Sequence, residues 1–385
     1  MGQSPQKMGN PGGLVHERID RDVKLRYLVD RRIGRGCYGV VYEAKEIEGF
    51  KRYVAIKKVL YAFRNATDAQ RTYREVSYLI ELCGHENILR IYDVICSRDD
   101  KHLYIITELL DADLQKTIKS MKLEETQRKF ITYQLLRALK YLHSAGVIHR
   151  DVKPANVLVS RLCEAKLADF GWARSATAAL GVEDPMTEYA ATRWYRSPEM
   201  ILGASRYTSA VDLWSVGCVS GEMKLRAPVV GGSSTITMLN AIVDMLGKPS
   251  ADDIASMQAQ FANYMLECLV AEPPRYPIEK KFQGESAECI DFLQLLLQVN
   301  PGKRMTANEA LQHPYVGNFH NPDNEPVFGR RIALVIPDSV KAPAARYRDQ
   351  VYADMLGFES SRRRVNDVRR KQLAEEALME RSSLV

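Results

Sequence analysis

No stretch of the 385-residue chain stays apolar for the roughly 18 residues that a bilayer-crossing helix needs, so no membrane span is expected. The opening residues, MGQSPQKMGNPGG, have no apolar centre of the kind a secretory signal carries. Cysteine is scarce and unpatterned. The seven thiols are odd in number and lack CxxC spacing, which implies neither a zinc site nor a disulfide framework and suits a reducing, cytoplasmic or nuclear location. No internal repeat is visible. Neither sign of charge dominates: 54 Lys and Arg against 48 Asp and Glu leave a net charge of +6. Part of that excess is local, in SRRRVNDVRRK at 361–371, which reads as a solvated tail helix, and no nucleic-acid partner is expected. With 46% hydrophobic and 26% charged residues the balance is that of an ordinary soluble protein, long enough for two lobes.

The patterning divides the chain. Residues 1–26 open with a Gly-, Pro- and Gln-rich stretch and are expected to be flexible. From Tyr27 to Val59, and again over Ile91–Ile95 and Leu103–Thr107, apolar residues alternate, which predicts an antiparallel sheet. One helix interrupts it, over Asp68–Leu82. After Leu110 the spacing turns helical, with segments expected at Glu124–His143, Ser209–Met223, Ile236–Leu246, Ile290–Leu297 and Ala307–Leu311. Glu272–Lys280, EPPRYPIEK, reads as a loop, and an irregular extension is expected beyond His313-Pro314. The class is α+β, a sheet lobe over 27–110 and a mostly helical lobe over 111–316, followed by an extension at 317–358 and a charged tail at 359–385.

The chemistry is concentrated between His149 and Glu199. HRDVKPAN (149–156) puts a carboxylate, Asp151, two residues from Lys153 and five from Asn156, and DFG (169–171) adds Asp169. Asp151 can accept a hydroxyl proton and Lys153 can neutralise a phosphate. Asn156 and Asp169 are hard oxygen ligands suited to Mg²⁺ on nucleotide phosphates. Phosphoryl transfer asks mainly for in-line positioning and neutralised charge, which these groups supply. Upstream, Ile33-Gly34-Arg35-Gly36-Cys37-Tyr38-Gly39-Val40-Val41 lies between two predicted strands and is followed by VAIK, Val54 to Lys57. Glycines there let backbone approach phosphates.

HRD, Lys, Asn and DFG in this order, behind a glycine-rich flap and a VAIK lysine, resemble the eukaryotic protein kinases, whose fold is bilobal. The resemblance implies ATP and Mg²⁺. Val41 and Ala55 would cover the adenine from above and Leu158 from below. Lys57 would reach the α- and β-phosphates, oriented by Glu75. Thr107 would be the gatekeeper, and Glu108 to Leu110 the hinge. Asp151-Val152-Lys153 favours Ser/Thr acceptors over Tyr. Thr187-Glu188-Tyr189 followed by AATRWYRSPE resembles the mitogen-activated protein kinases of the extracellular-signal-regulated type. AFRNATDAQRTYRE (62–75), LQHPYVGNFH (311–320) and YRDQVYADML (347–356) resemble the atypical mitogen-activated protein kinase 15 branch of that family.

That resemblance implies a loop switch. Arg71, Arg74, Arg150 and Arg174 would gather on phospho-Thr187, and Arg193 and Arg196 on phospho-Tyr189. Two like charges ~8 Å apart cost roughly 2 kcal/mol at an effective dielectric near 20. Two phosphates bring about −3 to −4 of charge. Ordering a loop from 1% to 99% takes about 5.5 kcal/mol, within reach of a few charge-assisted hydrogen bonds at ~1.5–3 kcal/mol each. The branch phosphorylates its own Thr-Glu-Tyr motif. Substrates would be proteins carrying Ser/Thr-Pro sites, with Thr192 steadying Asp151; the chain would act as a monomer, and a cilium or basal-body location is implied by the branch alone. Glu199 is expected to pair with Arg304, and Asp212 to hold the backbone near His149. Asn321–Glu325, where related kinases hold a more acidic docking patch, keeps only Asp323 and Glu325 charged. A cyclin-dependent kinase and a pseudokinase scaffold are the alternatives. The Thr-Glu-Tyr motif opposes the first, and the intact set Lys57, Glu75, Asp151, Asn156 and Asp169 opposes the second.

Overall fold

A computed structural model of the chain describes residues 18–36, 39–176, 193–204, 206, 208–259, 262, 265 and 274–360. Its residues fall into two compact units.

The first unit is built on five antiparallel strands, β1 (Tyr27–Gly36), β2 (Gly39–Glu46), β3 (Tyr53–Val59), β4 (Ile91–Cys96) and β5 (Leu103–Glu108), in the order β1-β2-β3-β5-β4. Side chains alternate between faces along a strand, so register decides which residues share a side. Val40, Tyr42, Ala44, Val54, Ile56, Tyr104 and Ile106 are buried on one face against Ile19 and Val23. The expected flexible segment therefore ends early: Arg21–Arg26 forms a short helix, α1, because Val23 closes this core. Lys58, on the same buried face, satisfies its ammonium on the Arg18 carbonyl at 2.8 Å.

Residues 344–360 are helical and belong to this unit, contrary to the expected irregular extension. Tyr347 and Val351 are buried, the Tyr352 hydroxyl donates to Asp100 at 2.7 Å, and its ring packs edge-on against Phe63. The helix α2 (Ala66–Glu81) divides: the second unit begins with Tyr73. Tyr73, Arg74 and Tyr78 bind Ile336 and Asp338, and the chain after the helix pairs through Asn87 and Leu89 with Leu167.

In the second unit the expected helices appear as Glu125–Ser144, Ala210–Leu225, Thr235–Leu246, Ala287–Leu296 and Ala307–Gln312. Leu135, Leu136, Leu139 and Leu142 form the buried stripe of the first. The second is buried nearly all round. Gly217 and Gly221 make that possible, since a Cβ would stand 2.9 Å from Leu297 and 2.5 Å from Val229. Ile278–Lys281 is helical, overlapping the end of the segment expected to be a loop, with Ile278 and Phe282 buried. The tail beyond residue 360 lies outside the described residues.

Candidate active site

The loop carrying Asp151 is fastened at its base. Strand Val147–Ile148 pairs antiparallel with Arg174–Ser175, so the chain entering the HRD motif and the chain leaving DFG lie side by side. Asp212, wholly buried, accepts the backbone N–H of His149 at 2.9 Å and of Arg150 at 2.8 Å. His143 Nε2 lies 2.8 Å from the same carboxylate. Burial pulls the Asp212 pKa upward, but the hydrogen bond and charge of His143 outweigh it and hold the group below the usual carboxylate value. Arg150 takes a left-handed backbone at φ 68°, which this clamp enforces.

His149 is buried, and burial lowers its pKa. Its Nδ1 accepts the Asp151 N–H at 3.3 Å, so the ring proton sits on Nε2 and is donated to the Ala168 carbonyl at 3.1 Å. A neutral histidine thus links the loop to the residue before Asp169.

Asp151 Oδ2 accepts Lys153 Nζ at 2.7 Å and Asn156 Nδ2 at 2.9 Å. The second Asn156 amide hydrogen goes to the Asp151 carbonyl at 2.8 Å. With both hydrogens spent, Oδ1 is the part of the Asn156 amide left to accept or ligate. Strands Val157–Val159 and Ala165–Leu167 pair directly, and the Ala168 N–H donates to the Asn156 carbonyl at 2.9 Å. Asn156 and Asp169 therefore leave adjacent strand ends. Asp169 is held at φ 62°, ψ 74°, a left-handed conformation worth roughly 1–3 kcal/mol of strain. Phe170, fully buried and edge-on to the His149 ring at 4.9 Å, pins it. Among the described residues no group of three or more His, Cys, Asp or Glu could cage a metal. An amide oxygen and a carboxylate instead suit a cation that keeps water or phosphate in its shell.

In the first unit, register groups the nucleotide candidates. Val41 faces Lys57 and Lys57 faces Ile105, while Ala55 faces Thr107. Val41, Ala55, Lys57 and Thr107 therefore share the face opposite the core. Val40 does not join them: its side chain is committed to the core, which leaves only its backbone for a ligand. Gly39 is obligatory, since a Cβ would meet the Lys58 carbonyl at 2.1 Å. Gly36 has open space where its Cβ would be, and Gly34 meets only Val41 at 3.6 Å, so ligand room rather than packing suits glycine there. Ile33, Arg35 and Gly36 lie on β1 and Glu108 closes β5. Leu110 follows in the second unit, as does Leu158, paired with Lys166. Cys37, Tyr38, Thr187, Tyr189 and Thr192 lie outside the described residues.

The arginines are placed unevenly. Arg150 and Arg174 are buried beside the DFG segment, donating to the Trp172 carbonyl at 3.5 Å and the Ala173 carbonyl at 3.3 Å. Arg193 opens a short 3₁₀ turn, Arg193–Tyr195, and Arg196 follows it. Ser215 Oγ donates to the Tyr195 carbonyl at 2.8 Å, the Tyr195 hydroxyl donates to Glu222 at 2.6 Å, and Trp194 Nε1 donates to the Gly232 carbonyl at 3.3 Å. Glu199 and Arg304 make the expected pair, bidentate at 2.6 and 2.7 Å and buried. Arg71 is counted with the first unit. Arg74 and Glu75 are both buried on α2, and Arg74 is already engaged, by Asp338 at 2.7 Å. No spacing signals that contact, which joins residues 264 positions apart.

Residues 27–316 match the family described as protein kinase domain. Over 354 residues the chain is 45% identical to extracellular signal-regulated kinase 2 of Dictyostelium discoideum, spanning 91% of this chain and 95% of that protein. It is 40% identical over 350 residues to mitogen-activated protein kinase 15 of Xenopus laevis, spanning 90% of this chain and 59% of that one. Its identity to mitogen-activated protein kinase 15 of Rattus norvegicus is 42% over 344 residues, 88% and 62% of the two. The chain thus spans nearly all of the first relative and about three fifths of the other two.

Proposed function

This chain belongs to the protein kinase family and to its mitogen-activated serine/threonine members, and from that premise we propose that it is proline-directed and activates itself on Thr-Glu-Tyr. The transfer runs from ATP to a protein hydroxyl. The observation that carries the chemistry is the convergence of Lys153 and Asn156 on a single oxygen of Asp151. That leaves Oδ1 to receive the hydroxyl proton as the acceptor oxygen bonds to the γ-phosphorus and the bond to ADP breaks. Lys153 offsets charge on the moving phosphoryl group. Lys57 serves the α- and β-phosphates, with Glu75 as its orienting carboxylate, and Val41, Ala55 and Leu158 serve the adenine. Asn156 and Asp169 would hold a magnesium ion, which when bound would supply positive charge to the nucleotide phosphates.

The Trp194-Tyr195-Arg196 segment, anchored to Glu222, Ser215 and Gly232, supports a rigid platform for the residue after the acceptor, and the resemblance makes that residue proline. Thr187 and Tyr189 are the proposed switch, read by Arg71, Arg74, Arg150, Arg174, Arg193 and Arg196. A peptide library with an Asp169→Ala control tests the first reading: acceptors followed by Pro should exceed those followed by Ala by about tenfold or more. Equal turnover of both would remove proline direction. Thr187→Ala with Tyr189→Phe should lose most activity. Purified chain incubated with MgATP should gain two phosphates by intact mass. A chain that stays unmodified until an upstream kinase is added would remove self-activation and leave the rest standing.

A further inference from the structure

Asp338 lies far outside the catalytic motifs, yet its side chain is 3% exposed and receives three donors. Arg74 Nε donates to Oδ1 at 2.7 Å. The Tyr78 hydroxyl at 3.1 Å and the Ser175 backbone N–H at 2.7 Å both donate to Oδ2. Arg74 and Tyr78 stand four residues apart on α2, hence on one face, beside Glu75. Ser175 ends the strand that leads away from Asp169 and Phe170. One carboxylate therefore joins the helix that carries Glu75 to the segment that carries Asp169. The segment holding Asp338 is itself fastened: Ile336 is buried with its N–H on the Tyr73 hydroxyl at 3.0 Å, and the Ile332 N–H is on the Ala145 carbonyl at 2.9 Å.

We propose that Asp338 is a positioning residue for phosphoryl transfer, a resident carboxylate that orders Arg74, Tyr78 and Ser175 in the chain that carries no phosphate. It rests on the kinase reading of Glu75 and Asp169 and is independent of whether the chain phosphorylates itself. The side-chain chemistry sets the division of labour. A carboxylate on Nε uses one of the five guanidinium N–H groups and leaves the rest of Arg74 for a phosphate. The resident charge therefore acts first, and a phosphate on the loop reinforces the same arginine later. Burial and the adjacent Asp338 charge raise the Tyr78 pKa, so its hydroxyl remains a donor throughout the working range. An amide at position 338 would remove the charge and turn an N–H₂ toward one of these donors.

The test uses the full chain and an external Ser-Pro peptide in two backgrounds. In the Thr187→Ala/Tyr189→Phe chain, Asp338→Asn should lower kcat about tenfold while peptide KM moves less than about twofold. In the doubly phosphorylated chain the same change should lower kcat by less than about threefold. Tyr78→Phe removes one donor and leaves the ion pair. It should repeat the pattern at smaller amplitude and decides the matter if Asp338→Asn does not fold. An unchanged kcat in the unphosphorylated background overturns the proposal. Equal losses in both backgrounds also overturn it, since they would mark a general packing role. A phosphorylated parent chain that transfers nothing would instead sink the kinase reading itself.

Discussion

Two carboxylates of the second unit are held in opposite ways. Asp151 is fixed by Lys153 and Asn156, two and five residues along the same loop. Asp338 is fixed by partners 163, 260 and 264 residues away. The first cluster closes as soon as the local turn forms, and little loop-closure entropy stands against it. The second exists only when helix α2, strand Arg174–Ser175 and residues 336–338 are all in place. The direct contacts on Asp151 are local although its loop is anchored by distant Asp212, whereas every contact on Asp338 depends on distant elements.

The comparison breaks most readily at Asp151. Asp151→Asn should lower kcat by about 10³-fold or more, since a positioned base contributes typically 10²- to 10⁴-fold. Because the cluster is local, its melting temperature should stay within about 2 °C of the parent. Scanning calorimetry beside single-turnover rates checks both. A large fall in stability would mean that Asp151 is tied to the distant packing as tightly as Asp338.

Glu199 and Arg304 test the long-range side at full burial. They stand 105 residues apart, and Arg304 also donates to the Gln298 carbonyl at 2.7 Å. Removing one partner strands the other charge, and the expected loss for Glu199→Ala is about 3–5 kcal/mol in denaturant unfolding. Replacing both by Leu and Met should recover most of it. A single substitution costing under about 1 kcal/mol would show that water reaches the pair.

The same contrast explains how much could be read from the chain alone. Asp151, Lys153, Asn156 and Asp169 lie in one window at fixed offsets, and alternation marked the sheet whose register brings Val41, Ala55, Lys57 and Thr107 to one face. Pairings with a strong chemical demand, such as Glu199 with Arg304 and Asp212 with the loop backbone, were also legible. Asp338 was not. Its meaning comes from where a loop without periodicity passes, and PDS carries no spacing that names Arg74, Tyr78 or Ser175 as partners. Within the glycine-rich run a strand splits the side chains between two faces, so Val40 offers its backbone and Val41 its side chain. Arg21–Arg26 and Ile278–Lys281 were hidden because a single turn of helix, held by one buried Val or Ile, gives no periodicity to detect.

His85 mixes the two modes, and pH reads it. Its Nδ1 accepts the Asn87 N–H at 3.1 Å, two residues away, while its ring packs against Tyr141, centroids 4.6 Å apart and tilted by 31°. Burial lowers its pKa from 6.5 to about 4. As pH falls below 6.5 the unfolded chain takes up a proton that the folded chain refuses, so unfolding gains. Stability should drop by up to about 3 kcal/mol between pH 6.5 and 4, with His149 acting in the same direction. Asp212 and Glu325, with lowered values, lose their contributions only at more acid pH. Urea unfolding at pH 7 and 5 should show the fall, and His85→Gln should flatten it. An unchanged slope in the variant would assign the effect elsewhere.

The smallest effect separates Asp323 from Glu325. Glu325 has a fully buried carboxylate that accepts His320 Nδ1 at 2.8 Å, the Asn321 N–H at 3.1 Å and Lys140 at 3.3 Å. Asp323 is exposed. Glu325→Gln should cost about 1–3 kcal/mol of stability because buried donors lose a charged acceptor, and Asp323→Asn should stay within about 0.5 kcal/mol. A basic peptide meeting Asn321–Glu325 therefore finds one carboxylate facing water, and an exposed ion pair is worth roughly 0.2–1 kcal/mol. Calorimetric titration with an Arg-rich peptide should shift by less than about fivefold on Asp323→Asn. A shift of a hundredfold would mean that Glu325 leaves its three partners, two of them local and only Lys140 distant, to join the contact.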